Sequence, residues 1–147
     1  MEDTRFQPPP YRFEAGTPHF LGAVGFAAAV DYLGQVGLEQ AAREEQALAR
    51  ALWEGLRAIP GVELPVAGPP QAGIVSFTLP PFHPYDVALL LDQQGVAVRS
   101  GTHCAHPLFD ALGMPQGVVR ASLGLYNTLE DVERLCRALR RVAAIKL

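Results

Sequence analysis

Residues 118–125 have the sequence Val-Val-Arg-Ala-Ser-Leu-Gly-Leu, which predicts the strand that organises the fold. Alternate side chains of an extended strand point to opposite faces of its sheet. The apolar positions are Val119, Ala121, Leu123 and Leu125, and the opposite face holds Arg120, Ser122 and Gly124. Because one face alone is apolar, we expect helices to cover that side of the sheet.

The neighbouring segments predict the other elements of the same layer. Strand-like segments occupy 74–79 and 96–99, and short helices are expected at 84–95 and 108–112, before a last helix capped by Thr128 or Asn127. Two longer helical segments, 19–36 and 38–58, come first. We therefore predict an α+β fold in which two long helices precede a small, mostly antiparallel sheet covered by helices on one face.

This pattern also predicts the domain organisation. We expect an extended arm and helix entry over residues 1–17, linking helices over 18–60, and a small α+β domain over 61–147. With 147 residues, 49% of them hydrophobic, the chain is long enough to bury one core. The net charge of −3 gives no reason to expect a nucleic acid or an anionic membrane as a partner.

No apolar run approaches the ~20 residues that cross a bilayer. Two cysteines are too few for a secreted disulfide scaffold, which favours a reducing, cytoplasmic setting.

Residues 99–107, Arg-Ser-Gly-Thr-His-Cys-Ala-His-Pro, hold the densest set of reactive groups. Cysteine reacts as its thiolate, and cationic neighbours such as Arg99 and His103 favour that form of Cys104. The alternative is a structural cysteine behind a loop. A metal site is disfavoured, because His103, Cys104 and His106 are poorly spaced for one ion and no second ligand cluster follows.

Two further positions are candidate binding residues. Arg120 lies in mid-strand away from the apolar face, where its guanidinium could bind a carboxylate through two hydrogen bonds; the alternative is a solvent-facing or salt-bridged arginine. Gly16 and Thr17 lie at a predicted helix start, where free N–H groups bind phosphate readily. Plain capping by the Thr17 hydroxyl, with Pro18 in the first turn, is the alternative there. Cys136 is predicted to be structural.

Four stretches together resemble a known family: residues 12–18 (RFEAGTP), 74–79 (IVSFTL), 99–105 (RSGTHCA) and 120–128 (RASLGLYNT). The most specific motifs among them are RFEAGTP and RxGxHCA. On these stretches the chain is similar to the C-terminal part of SufS-like (group II) cysteine desulfurases of the class V aminotransferase fold. The resemblance covers nearly the whole chain and implies the small C-terminal domain of a fold-type I pyridoxal-phosphate enzyme.

The resemblance also implies an activity and roles for individual residues. Pyridoxal phosphate would activate L-cysteine, and Cys104, beside His103, would take its sulfur as a persulfide while alanine is released. Arg120, with Arg99, would bind the substrate carboxylate. Thr17, with Gly16, would reach the cofactor phosphate of the partner subunit in a homodimer. A sulfur-acceptor protein and iron–sulfur cluster assembly would lie downstream.

The chain departs from the family pattern in three ways. Thr102 stands where the family often has a second histidine, and His19 stands where it often has asparagine. The large domain that carries the cofactor's lysine is absent, and the sole lysine here is Lys146. We therefore expect a fragment that is inactive alone and needs an N-terminal half. A selenocysteine or cysteine sulfinate lyase of the same fold, and a non-catalytic persulfide-carrying domain, remain the alternatives.

Overall fold

A computed structural model describes residues 5–145 of the chain. These residues form two compact units, with the boundary between Leu38 and Glu39, and each unit is described by itself. The domain limits at residues 17 and 60 stay a prediction, because the two units reflect compactness alone.

The N-terminal unit contains a short 3-10 turn, Tyr11–Phe13, and the 17-residue helix α1, Phe20–Val36. Helix α1 is apolar nearly all round, and none of its residues is buried. A helix of this composition is usually covered on several sides. Because no residue of α1 is buried, the N-terminal unit leaves the apolar side chains of this helix exposed.

The start of α1 differs from the prediction. The helix begins at Phe20 with His19 as its N-cap, so the predicted start at Thr17 and Pro18 was wrong. The Phe20 N–H donates to the Pro18 carbonyl at 2.8 Å, and His19 has φ −75° and ψ 69°. These values define an inverse γ-turn, which redirects the chain between Pro18 and the first helical residue.

The C-terminal unit has the predicted α+β architecture. Its sheet has the order β1-β3-β2, and both pairings are antiparallel. In chain order the elements are α2 (Leu38–Arg57, in this unit from Glu39), β1 (Ile74–Phe77), α3 (Pro84–Asp92), β2 (Arg99–Gly101), α4 (His106–Ala111), β3 (Val118–Ser122) and α5 (Leu129–Ala143).

The core of this unit lies on one face of the sheet, as predicted. Three helices, α2, α3 and α5, bury apolar residues against the strands. The fully or nearly fully buried side chains include Leu52, Leu56, Phe77, Val87, Leu91, Val119 and Leu139. Thr128 and Asp131 form a reciprocal capping box at the start of α5, which confirms Thr128 as its cap.

Two strands are placed differently from the prediction. The strand predicted at 96–99 is observed at Arg99–Gly101, because Val96 and Val98 pack against the core instead of joining the ladder. The strand predicted to reach residue 125 ends at Ser122, and the chain turns at Gly124, whose carbonyl accepts from the Asn127 N–H at 3.0 Å.

No single helix within residues 5–145 is both long and apolar enough to cross a membrane. The consecutive helices α1 and α2 meet that criterion only when they are taken together.

Candidate functional site

The sheet face opposite the core carries a row of polar side chains. Arg120 on β3 lies directly opposite Arg99 on β2, and on its other side it lies opposite Ser76 on β1. Directly opposed residues of antiparallel strands have Cβ atoms roughly 5 Å apart and share one face. The pairing register therefore brings the two predicted substrate-binding arginines together.

This arginine pair has no counter-charge among the residues that the structure describes. Like charges directly opposite each other destabilise a sheet. Within residues 5–145 neither guanidinium forms an ion pair, and the buried Arg120 Nε has no hydrogen-bond partner. A bound carboxylate would supply both the missing charge and the missing acceptor. The pair therefore has the properties of an anion site.

Cys104 lies in a strained turn that follows β2 directly. The Ala105 N–H donates to the Thr102 carbonyl at 2.8 Å, which closes a four-residue β-turn. Its central residues, His103 and Cys104, have φ of 49° and 63°. Two positive φ values at these positions characterise a type I′ turn, which normally selects Gly, Asn or Asp. Non-glycine residues held in such conformations cluster at functional sites.

The two central side chains of the turn have different surroundings. The Cys104 thiol is free and exposed. The His103 ring is turned inward, and its centroid lies 6.3 Å from that of Phe109. The turn therefore presents the sulfur outward while it packs the imidazole into the protein.

His103 connects the turn to the arginine pair. Burial, then the positive charge of Arg120, lowers the pKa of His103; Arg99 adds to the lowering, and the Val118 carbonyl acts in the opposite direction. Neither ring nitrogen has a partner of hydrogen-bonding geometry in the described part of the chain. The positive charges of both arginines thus act on this ring and disfavour its protonated form, so the Cys104 turn and both arginines share one region.

The structure thus brings together four of the six candidate residues, Arg99, His103, Cys104 and Arg120. Gly16 and Thr17 lie in the N-terminal unit, and their role in binding a cofactor stays a prediction. Cys136 is buried in the core, as predicted, and burial raises the pKa of its thiol. No cluster of three potential metal ligands occurs between residues 5 and 145.

Sequence reasoning missed Gly117, whose backbone approaches the residues just before the Cys104 turn. Gly117 is buried, with φ 73°, and a Cβ atom there would overlap the Gly101 carbonyl group and lie 2.7 Å from Thr102 N. The absence of a side chain therefore allows the turn before β3 to contact the backbone that leads into Thr102. A glycine just before a predicted strand was the available signal.

Gly117→Ala is expected to lower the free energy of unfolding by roughly 2 kcal/mol, since it combines an unfavourable φ with a backbone overlap. Gly113→Ala is the matched control, because Gly113 has φ 68° but open space around its Cβ position. That variant should lose only about 1 kcal/mol. Urea unfolding measures both; equal losses would show that the contact with Gly101 is unimportant.

A family model and curated relatives both match nearly the whole chain. The family model described as Aminotransferase class-V matches residues 1–135. A probable cysteine desulfurase of Xylella fastidiosa is 46% identical over 142 residues, which are 97% of this chain and 34% of that protein. The chain therefore spans about a third of the length of such relatives.

Solved structures show the same partial coverage. The apo cysteine desulfurase of Thermococcus onnurineus NA1 has a TM-score of 0.84 and 42% identity, over 95% of this chain and 35% of its own. A C-DES variant with glycine covalently linked to its PLP cofactor has a TM-score of 0.74 and 25% identity, over 99% of this chain and 34% of its own.

Proposed function

Because the chain belongs to the class V aminotransferase family, we propose that it is the C-terminal segment of a pyridoxal-phosphate-dependent cysteine desulfurase. The observation that carries this proposal is the exposed Cys104 thiol, held in a strained turn that directly follows the strand of Arg99, which lies opposite Arg120. The relatives named as cysteine desulfurases support the same reaction. The proposal includes a cytoplasmic homodimer that passes sulfur to an acceptor protein for iron–sulfur cluster assembly.

In the proposed reaction, Arg120 and Arg99 bind the carboxylate of L-cysteine. The Cys104 thiolate attacks the substrate sulfur, so a sulfur–sulfur bond forms while the substrate's carbon–sulfur bond breaks. The electron pair of that bond stays with the carbon fragment, which takes up a proton and leaves as alanine. His103 lies beside Cys104 in the same turn, and because burial and the charge of Arg120 lower the pKa of His103, its neutral form is favoured and adds no further positive charge there.

The described residues fit one part of a pyridoxal-phosphate site. The Thr17 hydroxyl makes no capping hydrogen bond within residues 5–145, so with Gly16 it is available for the cofactor phosphate. When bound, the cofactor supplies an electron sink that weakens bonds around the substrate's α-carbon. The lysine that anchors such a cofactor has no equivalent in residues 5–145, and Lys146 lies outside the described residues.

The isolated chain is expected to form no alanine from L-cysteine and to show no absorbance band of bound cofactor. Co-expression with the N-terminal two-thirds of the Xylella fastidiosa relative should restore both, because that part would supply the anchoring lysine. Alanine release and the visible spectrum are the measurements. Turnover by the purified chain alone, or no turnover by the reconstituted enzyme, would refute the proposal.

The same reconstituted enzyme tests the related activities. L-Selenocysteine and cysteine sulfinate, supplied in place of L-cysteine, report lyase activity through alanine release. A sulfur-labelled Cys104 after turnover with L-cysteine would separate desulfurization from simple elimination, since persulfide formation requires this thiol. If L-cysteine gives neither alanine nor label, whereas a separate persulfide donor labels Cys104 and leaves as its thiol, a sulfur-carrier role would be favoured.

A further inference from the structure

We propose that His106 is a positioning residue, which acts through the Thr102 hydroxyl to hold the Cys104 turn with its sulfur facing outward. This inference rests on the proposed function, because it explains how the nucleophile of that reaction is presented. Neither His106 nor Thr102 has a part in the reaction described above.

The contact that carries the inference spans the strained turn. Thr102 Oγ1 lies 3.1 Å from His106 Nε2 and 3.5 Å from Nδ1. Thr102 is the first residue of the turn, and His106 directly follows its last residue, at the start of α4. The side-chain bond, here called the Thr102–His106 clip, therefore joins the two ends of the turn outside its backbone.

The turn needs such a restraint because its backbone is unfavourable. His103 and Cys104 both have left-handed conformations that L-residues avoid, and the turn itself has the single backbone bond from Ala105 to Thr102. Among residues 5–145, the clip is the only side-chain hydrogen bond that involves a residue of the turn. Loss of the clip should therefore free the turn to exchange its inward and outward side chains.

The Thr102–His106 clip can form in both protonation states of the imidazole, which suits a position near a reacting thiol. A threonine hydroxyl can donate to a neutral imidazole or accept from a protonated one, so the bond persists through either state of the ring. His106 is exposed, unlike the inward-facing His103. Thr102 occupies the position where the family often has a second histidine. Its hydrogen bond holds the imidazole of His106 against the same turn from a different place in the sequence.

The test measures alkylation of Cys104 in the chain itself, with anionic iodoacetate and neutral iodoacetamide, located by mass spectrometry. The arginine pair attracts the anionic reagent as long as the sulfur is held at that face. Thr102→Val and His106→Phe should each lower the iodoacetate-to-iodoacetamide rate ratio about fivefold, the effect of one lost hydrogen bond. The double variant should lose no more than either single variant, and Thr102→Ser should keep the ratio.

Asp110→Asn is the control, since Asp110 is exposed on the same short helix and makes no side-chain hydrogen bond within the described residues. The iodoacetate-to-iodoacetamide ratio of this variant should stay unchanged or rise slightly, because one distant negative charge is lost. Amide exchange at Ala105 gives a second readout, which should accelerate in both single variants. The proposal would be overturned if the single variants left the alkylation ratio unchanged, or if the double variant showed additive losses. It would also be overturned if the wild-type chain showed no preference for iodoacetate.

Failure of the clip and failure of the desulfurase assignment are distinguishable, because alkylation involves no sulfur transfer. A reconstituted enzyme that releases no alanine leaves the alkylation result unaffected. Conversely, a normal turnover with no effect of Thr102→Val on the alkylation ratio would reject the clip alone.

Discussion

Replacing Cys104 with alanine is expected to abolish alanine formation by the reconstituted enzyme, with a loss of roughly a thousandfold or more. Without the thiol, nothing in the described chain can accept sulfur at the arginine-bearing face, since the second cysteine is buried in the core. Steady-state alanine release and persulfide detection by mass spectrometry measure the effect. Because Cys104 is exposed, the change should leave the fold and the melting temperature nearly unaltered.

Cys136→Ala is the matched control for this variant. Cys136 is 5% exposed and belongs to the core cluster, and burial raises the pKa of its thiol. This change should lower the free energy of unfolding by about 1 kcal/mol and leave turnover of the folded enzyme intact. Retained turnover in Cys104→Ala, or its loss in Cys136→Ala, would contradict the assignment of the nucleophile.

The second large effect is expected at Arg120. Arg120→Lys should lower kcat/KM for L-cysteine roughly a hundredfold, or about 3 kcal/mol, because lysine keeps the charge but cannot form the paired hydrogen bonds of a guanidinium. Arg120 is half-buried with an unpartnered Nε, so the substrate carboxylate would lose a desolvated contact. Initial rates over a range of cysteine concentrations give the change.

Two other arginines calibrate that result. Arg99→Lys should have a smaller effect, since Arg99 is more exposed than its partner in the pair. Arg137→Lys should have none, because Arg137 lies on the outer face of α5 in a surface ion pair with Glu133 at 3.3 Å. Equal losses in all three variants would indicate a general effect of replacing a guanidinium and would exclude a specific clamp at Arg120.

The one-sided sheet could be predicted from sequence because its signal is local. On β3 the alternation of Val119, Arg120 and Ala121 sets the two faces, whatever the partner strands are. The last helix was likewise predictable from its apolar spacing and its cap, as the capping box at Thr128 shows.

Features that depend on contacts between distant residues could not be predicted. Thr17 and Pro18 have the composition of a helix start, but the bond from Phe20 to the Pro18 carbonyl moves that start by two residues. Val98 has strand propensity, but burial in the core outweighs pairing there. Propensity is a weak influence wherever tertiary packing competes with it.

The candidate site was predictable in its members and not in its geometry. Arg99 and Arg120 were both recognisable, but their direct opposition follows from the register between β2 and β3. The inward position of His103 follows from a type I′ turn. The residue types did not indicate this turn, because its central positions hold His103 and Cys104 in place of the usual Gly, Asn or Asp. Gly117 and the Thr102–His106 clip likewise became visible only from the folded chain.

The alternation along β3 has an evolutionary consequence. Valine and alanine of this strand fill the core, and the arginine between them faces the site, so the two functions share five consecutive residues. An insertion or deletion of one residue within the strand would place Arg120 in the hydrophobic core and an aliphatic side chain on the polar face. Descendants of this gene can therefore vary the polar face by point substitution, whereas a change in strand length would disturb the core and the candidate site together.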